Sequence, residues 1–320
     1  MILATDVSFH TPAGVTYDWA ETNFFSIYLP EPNIAVWVYT VARPGIGAMV
    51  VDIEAINRIG RLTIDALYFD FQQHLPIPKK LEDYTLPNGL SLKTSNEPRD
   101  YRIDYIGTDN TEFHWDIKGL MEPFDIHDPR MDPLASEDPN HSGFGAAYAN
   151  HFDMTVHVRG TAKIRGKSYD VDCVTTMDHS WGPRNERGMR PMGWINGNLG
   201  KDLAFSTIWS LDQMKTGWDQ FALAHGYVLI DGEVRGLTRG RIRATRNGPL
   251  PVGYEAILTD KAGREYYFVG TTVAQTPWAC YSNIMAINSA VRWHCERRDG
   301  VGLAQENWPL DLLSGRNLGS

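Results

Sequence analysis

The sequence predicts an all-β protein built from two strand-rich halves, and three observations carry that expectation. Aromatic residues are abundant, with 10 Trp, 14 Tyr and 12 Phe in 320 residues, and such side chains suit a pleated, half-buried surface. Turn formers are also frequent, at 29 Gly and 18 Pro, as a chain of many short elements requires. Apolar residues recur at period two or in short runs bounded by turns, whereas long stretches with helical spacing are scarce.

In chain order, the expected strands cover residues 24–29, 34–41, 48–53, 91–94, 101–106, 111–119, 154–164 and 169–177, then 203–211, 222–230, 240–245, 253–259, 265–272 and 290–296. Each is a period-two or short apolar run bounded by turns. Five connections read as hairpins: Pro87-Asn88-Gly89, Thr108-Asp109-Asn110, residues 164–167, Asp231-Gly232-Glu233 and residues 260–263. Each places Gly, Asn or Asp where positive φ is cheap. Close succession of such strands implies antiparallel meanders.

Residues 121–145 break the pattern with four prolines, many acids and no periodicity, which reads as a long loop or linker. The expected division is therefore a first β domain at 1–125, a proline-rich linker at 126–145 and a second β domain at 146–320. Residues 146–154 would be a short helix or the start of the second half's first strand.

Charge narrows the function classes. Thirty Lys and Arg against 39 Asp and Glu give a formal net charge of -9, so the dense basic face that a nucleic-acid backbone demands is missing. Cys173, Cys280 and Cys295 are odd in number and widely spaced, which fits neither a disulfide framework nor a metal knuckle and suits a reducing compartment. No run of about 18 apolar residues occurs. The expectation is a cytoplasmic chain without membrane insertion, with homodimer formation left open.

Chemistry concentrates at Asp178-His179-Ser180-Trp181-Gly182-Pro183-Arg184, at the end of an expected strand. A carboxylate, an imidazole, a hydroxyl, an indole and a guanidinium stand together where Gly-Pro forces the chain to turn. Strand parity places Tyr169, Val171, Cys173, Thr175, Met177 and His179 on one face, the more apolar and so the inner one. Asp178 then points the other way. The plain structural alternatives are a hydrogen-bonded core histidine and a turn-capping carboxylate paired with Arg184.

Residues 151–184, HFDMTVHVRGTAKIRGKSYDVDCVTTMDHSWGPR, resemble the central segment of the hydroxyneurosporene synthase and AttH-like family. A weaker echo lies at residues 300–308, GVGLAQENW. The resemblance implies two tandem lipocalin-like antiparallel β-barrel or sandwich domains, with a barrel or interdomain cavity for a hydrophobic small molecule. It further implies hydration, cyclisation or related acid–base chemistry without a redox cofactor. Only Asp178, Trp181 and Gly182 carry over as motif positions, because His179 stands where many relatives carry Arg.

On that resemblance the expected activity is a cofactor-independent lyase, either hydratase-type or carbon–carbon cleaving, or an isomerase or cyclase, acting on an aromatic or isoprenoid substrate. Asp178 or His179 would be the general acid or base, Arg184 the orienting group, and Glu306 or His151 a second base. Trp181 and Trp194 would wall the site, since aromatic faces suit a planar or cationic ligand, with Tyr169 and Tyr227 as further substrate contacts. The alternatives are a non-catalytic carrier of the same ligand, and a carbohydrate-binding sandwich with exposed tryptophan platforms.

Local spacing supports neither a metal nor a nucleotide site. His151, Asp153 and His157 share a strand face, and His127, Asp128, Asp132, Glu137, Asp138 and His141 populate the proline-rich loop. Neither spacing is specific, so no metal is expected. Residues 193–198 and 45–47 are not followed by helical patterns, which removes the dinucleotide and P-loop fingerprints. Ser180 lacks the G-x-S-x-G elbow of a serine hydrolase. No cofactor is expected.

Overall fold

A computed structural model of the protein describes residues 1–136, 138, 145–184, 186 and 189–314. The chain is all-β, as its period-two patterning predicts, and forms two compact units. The first comprises Met1–Ile56, Leu67–Asp125 and Ala147–Arg184, the second Asn57–Ala66, Ile126–Ala146 and Asn185–Ser320.

Eleven strands build the antiparallel sheet of the first unit. They are β1 (Trp19–Leu29), β2 (Ile34–Arg43), β3 (Ala48–Ile56), β4 (Tyr68–Pro76), β5 (Asp83–Thr85), β6 (Leu90–Ser95), β7 (Asp100–Ile106), β8 (Glu112–Gly119), β9 (Phe124–Asp125), β10 (Asn150–Ile164) and β11 (Lys167–Pro183). Across the sheet the order is β4-β3-β2-β1-β11-β10-β8-β7-β6-β5, and β9 pairs with β10. The 17-residue β11 therefore runs between β1 and β10, with Glu21 opposite Trp181 on one side and Asn150 opposite Trp181 on the other.

The second unit is a closed antiparallel barrel of eight strands in chain order. These are β12 (Met192–Asn198), β13 (Leu203–Leu211), β14 (Phe221–Ile230), β15 (Glu233–Asn247), β16 (Leu250–Asp260), β17 (Glu265–Tyr281), β18 (Ile284–Cys295) and β19 (Arg298–Pro309). Pairing of β19 with β12 closes the ring and removes exposed edges. Ile195, Phe205, Trp209, Val228, Phe268 and Trp293 are among the side chains that fill its core. Glycines make the seam possible: a Cβ at Gly300 or Gly302 would overlap the backbone carbonyls of Asn198 and Asn196. The GVG sequence that interrupts the apolar pattern is thus what lets β19 approach β12.

All five expected hairpin turns connect adjacent antiparallel strands. The expected domain boundary does differ from the units. Residues 147–184, assigned from sequence to the second half, belong to the first unit because β10 and β11 pair with β8 and β1. Strand patterning identifies strands but not which distant strand each will pair with. The proline-rich segment is also less solvated than its composition suggests. Asp132 is fully buried, with its Oδ2 2.7 Å from His225 Nδ1, and Asp128 is buried beside Arg130. Glu137 and His141 lie outside the described residues.

A buried carboxylate in the first sheet gives the fold a measurable pH dependence. Asp52 on β3 is fully buried and accepts a 2.7 Å hydrogen bond from Trp37 Nε1 on β2, while its Oδ1 has no hydrogen-bond partner. Burial, with a smaller push from the Asp70 charge, raises its pKa to about 7. A carboxyl raised in the folded state favours folding below its unfolded pKa, and that contribution is lost as pH climbs towards 7. Asp52→Asn is therefore expected to melt above the wild type at pH 8 and level with it near pH 4. At about 1.4 kcal/mol per pH unit, the gain is bounded by roughly 4 kcal/mol. Thermal denaturation across pH checks this, and a melting difference that does not grow with pH would refute it.

Candidate functional site

The polar motif occupies the last residues of β11, where the backbone is set by Gly182 at φ 148°, a conformation that favours glycine. Pro183 ends the strand, and the Arg184 N–H donates to the Asp18 carbonyl at 2.7 Å. That turn sends the Arg184 side chain back along β11, where it donates to Ser180 Oγ at 2.7 Å.

Alternation along β11 splits the motif between two sheet faces. On one face, register brings Asp178 and Ser180 beside Asp153 and His151 of β10, and beside Phe24 and Thr22 of β1. His151 lies between two carboxylates, with Nε2 3.2 Å from Asp153 Oδ1 and Nδ1 3.7 Å from Asp178 Oδ2. Thr22 and Ser180 share a 2.8 Å hydroxyl hydrogen bond, and the Arg184 guanidinium stacks 4.7 Å from the Tyr148 ring. The cluster is buried: the side chains of His151, Asp153 and Asp178 are 3%, 2% and 14% exposed. Asp178 thus faces away from His179, as parity predicts, but not into open solvent.

Burial raises the Asp178 carboxyl to about 7; the His151 and Arg184 charges oppose that rise and the Asp153 charge adds to it. Burial lowers His151, yet the Asp153 and Asp178 charges outweigh it and hold the imidazole above its ordinary value. A carboxyl and an imidazole moved in this way can pass a proton between them at modest cost.

The second face carries His179 and Trp181, together with Glu21 of β1 and His10 from the segment before it. His179 is fully buried, and its Nδ1 donates to the Thr22 carbonyl at 2.8 Å. Burial pushes this imidazole down to about 4, against the hydrogen bond to Thr22 and the Glu21 charge. His10 stacks on Trp181 at 3.6 Å with an interplanar angle of 1°. Burial would raise Glu21, but hydrogen bonds from the His10 side chain and backbone and from Trp19 hold it below its ordinary value.

The remaining sequence candidates are dispersed. Tyr169 lies nine residues before Asp178 on β11, roughly 30 Å along an extended strand, under the Lys167 ammonium. Glu306, Trp194 and Tyr227 belong to the barrel unit. Trp194 sits on the face of β12 opposite the core residue Ile195, and Tyr227 on the face of β14 opposite Val228.

Glu306 is not a free second base. It is fully buried and paired with both terminal nitrogens of Arg246, at 2.8 and 3.0 Å, and it accepts from Tyr254 Oη at 2.8 Å and Trp308 Nε1 at 3.1 Å. His157 likewise leaves the His151–Asp153 pair, its Nε2 lying 2.5 Å from Asp172 Oδ1. Among the described residues eight tryptophans are buried, and Trp19 and Trp218 are partly exposed.

Sequence reasoning set Asp153 on the His151 face but considered the two only as metal ligands, and it missed His10 and Glu21 altogether. Alternation pairs Asp153 with His151 on one strand face, and cross-strand register adds Asp178. Nothing local marks His10 and Glu21, because the pairing that brings β1 to β11 spans 157 residues at Thr22 and His179.

Near residues 247–250, the barrel unit holds a cavity of about 390 Å³ lined mainly by apolar side chains, including Leu250, Pro277, Met285, Ile287 and Leu313. Ile287 is the register partner of Glu306. Among the described residues, no helix is long and apolar enough to cross a membrane.

The family described as "Domain of unknown function (DUF7064)" matches residues 4–310. No curated protein matches the sequence. Among solved structures, a provisional AttH from Nitrosomonas europaea is similar, with a TM-score of 0.62 and 11% identity over 96% of each chain. CghA, solved with Sch210972, is similar with a TM-score of 0.58 and 11% identity over 92% of this chain and 89% of that one. At such identities the likeness is one of fold, and the expected AttH resemblance holds at that level.

Proposed function

The chain belongs to the DUF7064 family, and from that footing we propose that it is an enzyme performing acid–base chemistry on an uncharged hydrophobic small molecule. The reaction is of the lyase or isomerase type, in which a proton is delivered to or taken from carbon or a hydroxyl. One observation carries the reading: His151 is buried between two carboxylates, Asp153 and Asp178, and Arg184 folds back beside them from the same strand end. Burying an imidazole with two carboxylates is costly unless the groups are paired, and a cluster of proton carriers on one face is what such chemistry requires. The fold likeness to a chain solved with Sch210972 is consistent with a small-molecule ligand. Asp178 and His151 handle the proton, Asp153 holds the imidazole, and Arg184 orients Ser180 and the strand end.

A carrier of the same ligand is the second reading, favoured by the apolar 390 Å³ cavity of the barrel. Native mass spectrometry of the purified chain, followed by turnover assays on the apolar compound it retains, separates the two. In the enzyme reading, Asp178→Asn/His151→Gln keeps the ligand and loses turnover. Unchanged conversion by that folded double variant would sink it. In the carrier reading nothing is converted, and Met285→Trp, which fills the cavity, abolishes retention.

A further inference from the structure

We propose that His10, Glu21 and His179 bind one divalent first-row transition-metal ion. The site lies on the face of β11 opposite Asp178, so it does not depend on the acid–base reading above. Each of the three residues offers one ligand atom, and those atoms lie within 4.8 Å of one another. His10 Nδ1 and Glu21 Oε2 are 3.3 Å apart. Two donors about 2.0–2.1 Å from one tetrahedral ion stand roughly 3.4 Å apart, so this spacing fits a shared metal.

The groups behind the ligands carry the argument further. The Thr22 carbonyl can only accept, so His179 Nδ1 holds the proton and Nε2 keeps its lone pair. That Nε2 is fully buried and has no hydrogen-bond partner. A buried acceptor without a partner calls for an explanation, and a bound ion supplies one. His10 Nε2 faces Asp6 Oδ1 at 3.4 Å and Nδ1 faces Glu21 Oε2 at 3.3 Å, so the tautomer protonated at Nε2 leaves Nδ1 for the ion. Imidazoles that ligate metals characteristically give their other ring nitrogen to a carbonyl or carboxylate; His179 does so to Thr22, and Asp6 stands ready to take that role for His10. Glu21 is held by the His10 N–H, with Trp19 Nε1 at 3.1 Å and Thr11 Oγ1 at 3.2 Å directed at Oε1, so Oε2 is the oxygen turned to His10 Nδ1. Trp181, stacked flat on His10, fixes that ring.

Two imidazoles and one carboxylate suit zinc, cobalt or ferrous iron better than calcium or magnesium, and three protein donors leave a tetrahedral position open. The ion would tie the segment before β1 to β1 and β11. Clusters close in sequence suggested no metal; these ligands meet only through the β1–β11 pairing.

The test uses the full chain, stripped with EDTA, desalted and titrated with Co²⁺ or Zn²⁺. The expected result is one ion per chain, visible d–d absorption with Co²⁺ that Zn²⁺ quenches, and a thermal transition raised by either ion and restored by EDTA. His179→Gln, Glu21→Gln and His10→Gln should each weaken binding by more than about 100-fold, and Asp6→Asn by about 10-fold. His294→Gln, at an exposed pair with Asp299, should bind as the wild type does. His10 lies outside the strands and is partly exposed, so His10→Gln and Asp6→Asn decide the matter if the buried variants do not fold. Failure of the wild-type chain to take up either ion, or equal uptake by His10→Gln, overturns the proposal.

Discussion

Arg246→Met is expected to destabilise the barrel unit by about 3–5 kcal/mol, the range seen when one partner of a buried ion pair is removed. Glu306 has no solvent exposure and Arg246 only 18%. Two hydrogen bonds to the guanidinium, at 2.8 and 3.0 Å, are supplemented by neutral donors from Tyr254 and Trp308. Without the cation, Glu306 would keep only those neutral donors inside a core that includes Tyr254, Phe221 and Trp308. Glu306→Gln should cost less, because Arg246 retains the Gln220 and Pro249 oxygens and its edge towards water. The pair as a unit need not be stabilising, so Arg246→Met/Glu306→Leu should recover most of the loss. Urea denaturation of the three variants checks this. A cost below about 1 kcal/mol for Arg246→Met would place the pair among ion pairs that contribute little.

The same pair shows where the sequence was legible and where it was not. Period-two runs and turn residues located most strands, because alternation follows directly from a sheet with one face buried. They overlooked β4, β5, β9, β12 and β19, which are short or where polar or glycine-rich stretches blur the alternation. In β19 the glycines answer a close approach to β12 rather than a turn, and in β12 Gly197 makes room for the Phe205 and Trp293 rings. The motif at 178–184 was legible as chemistry because its polar groups are adjacent, and parity correctly set Asp178 and His179 on opposite faces. What these residues touch was not legible. His151 reaches Asp178 through cross-strand register, Glu306 is claimed by Arg246 from another strand, and His179 meets His10 and Glu21 from the far end of the chain. Each of these pairings is decided by which strands lie side by side, and local spacing carries no record of that.

Asp178→Asn is expected to lower kcat on the converted substrate by about 100-fold or more, the usual scale for losing a general acid or base, with KM changed by no more than a few-fold. Asparagine keeps the side-chain volume and an accepting oxygen, so the β1, β10 and β11 register should survive. What disappears is the carboxyl that stands 3.7 Å from His151 Nδ1. His151→Gln should produce a loss of similar size. Because the two residues act on one proton, the double variant should be little worse than either alone, far short of the product of the two effects. Arg184→Met tests a different role. It breaks the hydrogen bond to Ser180 and the stack on Tyr148 without removing a proton carrier. Its effect should therefore appear as a smaller fall in kcat. Steady-state kinetics on the four variants, each checked for wild-type circular dichroism, distinguishes these outcomes. If the Asp178→Asn and His151→Gln losses multiply, the residues act on separate steps. If Asp178→Asn leaves kcat within a factor of about three, the buried cluster is structural and the proton is handled elsewhere.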